Sequence, residues 1–326
     1  MISVAMATYN GEKYLKEQLD SILNQSTSQP LELIICDDLS TDSTRKILQE
    51  YAEKDSRIRL YFNDANLGFS KNFKKAISLC TGDFIALSDQ DDIWETDKLE
   101  KLVNNIGEYD FICSNSMLVN KNNESQNITM QDVANYHWIP KDTFKLFKRI
   151  LYSNIVQGST MLAHSDFLKS CSAAPAQIKY HDWWFAFNSC AKNGFIYLNE
   201  CTIRYRRHEN TETIANEKLS FIQEQGLTLK KEKYDFECAK NDERLERLLL
   251  LKNTIPFKKR EYDFLNATIR YYTELKDKTL FTFIYFAKNC KYIYLDKNII
   301  RNTFRIMKRF FGLIAWKILL RRKIQG

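Results

Sequence analysis

Glycine and proline are scarce in this chain, with 9 Gly and 4 Pro in 326 residues. Collagen-like and low-complexity classes are thereby excluded. No G-x-G-x-x-G follows the first apolar run, and no G-x-x-x-x-G-K-[ST] occurs anywhere. A nucleotide here is therefore not cradled by the backbone amides of a glycine-rich loop. The 8 Cys form no C-x-x-C pair, which argues against a zinc ribbon or a thioredoxin-like motif. Most sit in apolar runs, as in "LELIICDD" and "DFICSN", and read as free buried thiols of a reducing compartment. The longest apolar run, "FFGLIAW" (310–316), is too short to span a bilayer. "MISVAMATYN" already reads as a strand, so a cytoplasmic protein is expected.

What is present is ordinary for a globular protein: 44% hydrophobic and 27% charged residues. The length suits one large domain or two modest ones. The net charge of +7 is unevenly placed. Nine Lys or Arg and no acid lie between Lys297 and Lys323, leaving 39 basic against 41 acidic residues elsewhere. The body is nearly neutral, and no nucleic-acid partner is expected.

Strand and helix signals alternate up to about residue 115. "SVAMAT" (3–8), "LELIIC" (31–36), "IRLYF" (58–62), "DFIALS" (83–88) and "YDFICS" (109–114) read as strands. Leu15, Leu19, Ile22 and Leu23 recur at helical spacing. "STDSTRKILQEYAEK", "KNFKKAISL" and a stretch from about Thr96 complete the helices. This rhythm predicts an α/β fold with a mostly parallel central sheet flanked by helices. Residues 116–213 read as a second, α+β half, and 214–326 as a helical C-terminal region.

In such sheets ligands bind beyond the carboxyl ends of the strands. Three polar clusters fall there: Thr8-Tyr9-Asn10, Asp37-Asp38 and Asp89-Gln90-Asp91-Asp92. Carboxylates repel a phosphate but hold it through a divalent cation. Mg²⁺ or Mn²⁺ takes one or two carboxylates plus substrate phosphates. Asp89 and Asp91 are spaced for that. The alternative is that these acids cap the following helix, a role assigned to Asp92.

Four segments together resemble the family 2 glycosyltransferases of the GT-A fold: "ATYNGEKYLKEQLDSILNQ", "LELIICDDLSTDST", "NLGFSKNFKKAI" and "SDQDDIWETDKL". The resemblance covers roughly residues 1–210. It implies transfer of a sugar, with inversion, from a nucleotide diphosphate donor to an acceptor hydroxyl. It implies Tyr9 against the donor's base, the Asp37-Asp38 pair contacting that base, and "DQD" (89–91) as the metal motif. In "KYHDWWFAF" (179–187), Asp182 matches the family's base, with His181 where Glu is more usual. A positioned carboxylate can take the hydroxyl's proton as the new bond forms. Helix capping is the alternative for Asp182. Trp183 offers a platform for a sugar ring or else belongs to the core.

"IRYRRHENT" (203–211) matches a Y-R-x-H segment of the family. It places Arg206 toward the diphosphate and makes His208 a metal ligand, against the alternative of a solvated basic loop. "NIVQGSTML" (154–162) resembles an acceptor-side segment in which Gly158 lets backbone and sugar approach closely. Asn66 and Asn72 are donor-side candidates or turn residues. Ala7 stands where many relatives have Pro. No Q-x-x-R-W segment appears, which argues against a processive synthase. The "SDQDD-x-W" and "HDWW" variants resemble bacterial rhamnosyltransferases of surface-polysaccharide synthesis, so dTDP-rhamnose or a UDP-sugar is the implied donor. A sugar nucleotidyltransferase would want a basic, Gly-rich first loop, which "TYNGEKY" is not. A sugar- or membrane-binding scaffold without turnover is the rival from another class.

Ile300, Phe304, Met307, Phe311, Ile314 and Ile318 fall in one helical stripe, beside Arg301, Arg305, Lys308 and Arg309. A basic amphipathic helix on the inner face of the plasma membrane is expected, matched to a glycan or lipid-linked acceptor. The alternative is packing on the body or on a second subunit.

Overall fold

The computed structural model describes residues 1–134, 139–140, 142–152, 154–175, 178, 180–208, 243–274, 285 and 288–289. The expected membrane-binding tail, 297–326, and the helical reading of 214–242 lie outside the described residues.

The chain divides into two compact units, residues 1–146 with 154–226, and 147–153 with 227–326. The first is built on one sheet. In chain order it contains β1 (Ile2–Thr8), α1 (Leu15–Leu23), β2 (Leu31–Asp37), α2 (Thr44–Lys54), β3 (Ile58–Phe62), α3 (Phe69–Leu79) and β4 (Phe84–Ser88). There follow β5 (Ile93–Trp94), α4 (Lys98–Ile106), β6 (Phe111–Val119), β7 (Ser125–Thr129) and α5 (Met130–Ala134). After α6 (Thr143–Tyr152), which runs into the second unit, come a 3₁₀ turn (Gly158–Thr160), β8 (Leu162–His164), α7 (Ser165–Cys171), α8 (His181–Cys190) and β9 (Phe195–Arg206).

The sheet order is β3-β2-β1-β4-β8-β6-β9-β5, with β7 paired to β6. β3, β2, β1 and β4 run parallel, as the alternating strand and helix signals predict. β8 lies antiparallel between β4 and β6, β9 is parallel to β6, and β5 is antiparallel to β9. β1 is buried along nearly its whole length, as an interior parallel strand covered on both faces must be. Ile2, Val4 and Met6 share one face with Leu33 and Ile35, and there they join Leu15, Leu19 and Ile22 of α1 and Leu99 and Leu102 of α4 in one core. α3 packs on β1 and β2, burying Phe73, Ala76 and Ile77.

In the second unit residues 243–254 and α9 (Lys259–Thr273) are helical. Phe147 packs on Phe257 and Phe264, and the Tyr152 hydroxyl lies 2.7 Å from that of Tyr285. Among the described residues, no helix is long and apolar enough to cross a membrane. Cys36, Cys80, Cys113, Cys171 and Cys190 are buried free thiols, and Cys201 is a half-buried one.

Candidate active site

The order β3-β2-β1-β4 reverses the direction of winding between β1 and β4, and the crevice opens at their carboxyl ends. All three polar clusters lie along that edge. Thr8 Oγ1 donates to Asp37 Oδ2 at 3.1 Å. Asp37 is fully buried, accepts from the Ser40 amide and hydroxyl, and is paired with Arg45 Nε at 2.6 Å. Asn10 accepts from Thr41 N and donates its own amide to Ser40 Oγ. These bonds tie the loops after β1 and β2 together. Each loop has one residue in the left-handed region, Asn10 at φ 48° and Leu39 at φ 67°. For Leu39 that conformation is strained, and such strain clusters at functional loops.

Asp38 is buried, and its carboxylate accepts from Asn63 Nδ2 (2.8 Å), Leu67 N (2.8 Å) and Gly68 N (2.9 Å). Asn66 donates to Asp38 O at 3.1 Å. Gly68, at φ 77°, starts α3 in a conformation that favours glycine. Asn72 is buried with both ends of its amide engaged, donating to Cys36 O and accepting from Asn63 Nδ2.

Gln90 forms a two-way clasp with the Tyr9 backbone, accepting from Tyr9 N at 2.8 Å and donating to Tyr9 O at 3.0 Å. A Cβ at Gly11 would collide with the Gln90 amide. The clasp leaves the Tyr9 side chain about half exposed at the mouth of the crevice (49%). The sequence motif alone assigns Gln90 no role. An amide between carboxylates was the available signal.

The acids of 89–92 do not cap the next helix. α4 begins only at Lys98, with Asp97 in the capping position. Asp92, expected to cap, is instead fully buried and accepts from Arg206 N at 3.1 Å. Burial first, and then Asp91 and Asp89, hold its carboxyl well above the usual range. Asp91 Oδ2 lies 2.8 Å from His208 Nε2, and both groups keep some exposure. Asp89 is half-buried at the same edge. Arg206, expected beside a diphosphate, is buried and turned inward. It donates to Asp91 O (2.9 Å), Lys121 O (2.9 Å) and Glu17 Oε2 (2.7 Å), and lies on the Tyr14 ring. Tyr14 in turn packs against His208.

No three His, Cys, Asp or Glu side chains among the described residues form a ready metal cage. Asp91 and His208 are nonetheless one carboxylate and one imidazole facing each other, with Asp89 two residues away. That set suits a cation whose remaining ligands come from phosphate oxygens and water.

Asp182 lies at the same edge because β8 is antiparallel. The turn that begins β8 and the N-terminus of α8 both face the carboxyl ends of the parallel strands. Asp182 accepts from Asn154 Nδ2 at 3.0 Å and from Gly158 N at 3.2 Å. It also accepts from Trp183 N at 2.6 Å, a bond to its own neighbour within the first turn of α8 and not a cap, since Tyr180 holds the capping position and makes no side-chain cap bond. Burial pushes its pKa up to about 6 against the opposing effect of these donors. His181, 7% exposed, is packed among Phe69, Phe73 and Phe185, and burial lowers its pKa to about 4. A Cβ on Gly158 would lie 3.3 Å from His181 Nε2, so this glycine admits the imidazole. Trp183 is buried and stacked on Phe187, and Trp184 donates Nε1 to Cys171 O. Both therefore belong to the core. Nothing in the "NIVQGSTML" segment alone marks Asn154 as the partner of Asp182.

A mostly parallel α/β sheet of the GT-A type, with carboxylates gathered along one edge, defines a class of sugar-transferring enzymes. The family model for glycosyl transferase family 2 matches residues 3–167, and the chain belongs to that family. It is a glycosyltransferase. Over 225 residues it is 30% identical to the dTDP-rhamnosyl transferase RfbG of Shigella flexneri, a match covering 65% of this chain and 74% of RfbG. Across the relatives the matched segment spans from 34% to 74% of their own length. The fold is similar to S. aureus TarS 1–349 in complex with UDP-GlcNAc (TM-score 0.57, 17% identity, 90% of this chain and 81% of that one). It is also similar to the mannosyltransferase PcManGT of Pyrobaculum calidifontis in complex with GDP-Man and Mn²⁺ (TM-score 0.52, 15% identity, 98% and 86% covered).

Proposed function

We propose that the chain is an inverting, divalent-cation-dependent glycosyltransferase. It moves a sugar from a nucleotide diphosphate donor to a hydroxyl of a glycan or lipid-linked glycan in bacterial surface-polysaccharide synthesis. The observation that carries this reading is Asp182, a carboxyl at the sheet's binding edge whose pKa is raised to about 6 while three donors fix its direction. A general base works best when its pKa lies near the operating pH.

In this reading the donor enters the crevice between the β1 and β4 loops. Tyr9 offers its exposed ring to the base, with the Asp37–Asp38 loop alongside. The residues that would hold Mg²⁺ or Mn²⁺ are Asp91, Asp89 and His208. When bound, the cation neutralises charge on the departing diphosphate. Arg206 serves the diphosphate indirectly, by holding the 89–92 loop. His181 and Gly158 lie on the acceptor side of Asp182, and His181, being neutral, suits a hydroxyl rather than an anion. Asp182 takes the acceptor hydroxyl's proton. The freed oxygen bonds to the anomeric carbon from the face opposite the leaving group, and the carbon–diphosphate bond breaks. The basic tail, 297–326, brings the enzyme to an anionic membrane where a lipid-linked acceptor resides.

The neighbours and relatives define the donor panel: UDP-GlcNAc, GDP-mannose and dTDP-rhamnose. Turnover of one of them is expected with Mn²⁺ or Mg²⁺ and is lost with EDTA. Asp91→Ala and Asp182→Ala each abolish transfer while leaving the far-ultraviolet spectrum unchanged. Near-normal turnover in either variant removes that residue's role.

A further inference from the structure

Lys98 is a buried amine that the chemistry above does not use. It is the first residue of α4 and fully buried. Its position opposes it twice. Desolvation disfavours the ammonium, and the positive end of a helix repels it. An apolar side chain would fill the space without either cost.

Its contacts show what the amine does. Nζ donates to Ser159 O at 2.6 Å and lies 3.3 Å from the centre of the Trp94 ring. Asp92 and Asp89 attract it from the acidic loop. Ser159 belongs to the 158–160 turn, in which the preceding residue, Gly158, donates its amide to Asp182. Strand pairing between β4 and β8 ends at Ala86 and Leu162, and one further bond joins Leu87 N to Met161 O. Beyond that point the acidic loop and the turn leave the sheet, and Lys98 spans them.

We propose that Lys98 is a positioning residue for transfer: it locks the turn that orients Asp182 to the loop that carries Asp89 and Asp91, and so sets the proton acceptor relative to the donor diphosphate. This rests on the function proposed above. Displacing a reacting group by about 1 Å can cost on the order of a hundredfold in rate.

Lys98→Met is the test, with thermal unfolding to establish that it folds. Binding of UDP, GDP and dTDP with Mn²⁺, measured by calorimetry, is expected within about threefold of the wild type, while kcat falls about 10- to 100-fold. A second readout separates positioning from plain stability. The Gly158 amide helps to lower the Asp182 pKa, so a loosened turn moves the acid limb of the kcat profile to higher pH. Among the described residues, the titratable groups beside Asp182 stay neutral through that window: burial lowers His181 to about 4 and raises the Cys113 thiol. A kcat within threefold and an unmoved acid limb overturn the proposal, as does nucleotide binding lost in step with kcat. Should Lys98→Met not fold, Lys98→Arg keeps the charge but changes the head-group geometry, and it is held to the same two readouts. Failure of the wild type to turn over any of the three sugar nucleotides removes the underlying function and this inference with it. Normal wild-type turnover beside an unaltered variant removes Lys98's role alone.

Discussion

A carboxylate in open water is ionised above about pH 4 and is a weak base at neutrality. Asp182 is made a better base by leaving water, and the same change has a price in stability. Its pKa is raised to about 6 by burial, above the unfolded value. Its stabilising contribution is therefore fully present below about pH 4 and lost as pH rises through about 6. Other acids in the chain are shifted the opposite way, Glu32 and Asp55 among them, so total stability against pH does not isolate it. The difference between wild type and Asp182→Asn does. That difference in unfolding free energy is expected to move against the wild type by about 2–3 kcal/mol between pH 4 and 6.5, measured by urea denaturation. Over the same window wild-type transfer rises, and the variant transfers nothing. A flat difference would mean that Asp182 is not held at a raised pKa.

The loops that carry the site are ordered by a few buried anchors, and their magnitudes can be ranked. Arg206, at the end of β9, holds the acidic loop through Asp91 O and reaches Lys121 O and Glu17 as well. Its side chain is fully buried, whereas that of Glu17 is half exposed (0% and 52%). Removing a buried charged anchor costs about 3–5 kcal/mol, while an exposed partner contributes less than about 1 kcal/mol. Arg206→Met is therefore expected to lower stability by about 3 kcal/mol and to weaken Mn²⁺-dependent nucleotide binding. Glu17→Gln is expected to change stability by under about 1 kcal/mol and to leave that binding intact. Equal effects in chemical denaturation would place the anchor in the ion pair rather than in the loop carbonyls. This arrangement is only partly legible in the sequence. The "RYRRH" run marked the segment, but nothing in it distinguishes an arginine turned toward a ligand from one turned into the fold. That depends on β9 pairing with β5, and β5 is two residues long, inside a motif that reads as a loop. Lys98 left a fainter signal, a cation at a helix start where acids are favoured, visible only once the helix boundary is known.

At the scale of the whole chain, long-period patterns survive in sequence and local reversals do not. β1, β2 and β3 are readable because each is an apolar run followed directly by a helix at 3.6-residue spacing, and β4 because its apolar run is followed, after the short β5, by α4. β8 is not: three residues give no period, and its antiparallel direction comes from the sheet partners on either side. Yet that reversal delivers the 158–160 turn to the edge where the parallel strands end, and so brings Asp182 to the site. The basic tail is the reverse case, strongly patterned in sequence and outside the described residues. Its nine basic residues would each contribute about 1 kcal/mol of attraction near an anionic surface, screened within a Debye length of roughly 8 Å at physiological salt. Full-length protein is expected to float with vesicles containing phosphatidylglycerol at low salt, to be released by high salt, and to ignore vesicles of phosphatidylcholine alone. A chain ending at residue 296 should stay at the bottom of the gradient with both. Salt-resistant flotation would make the apolar stripe the dominant contact. Equal flotation of the shortened chain would move membrane binding off the tail, and a change in the sedimentation of the shortened protein would assign the stripe to a second copy of the chain.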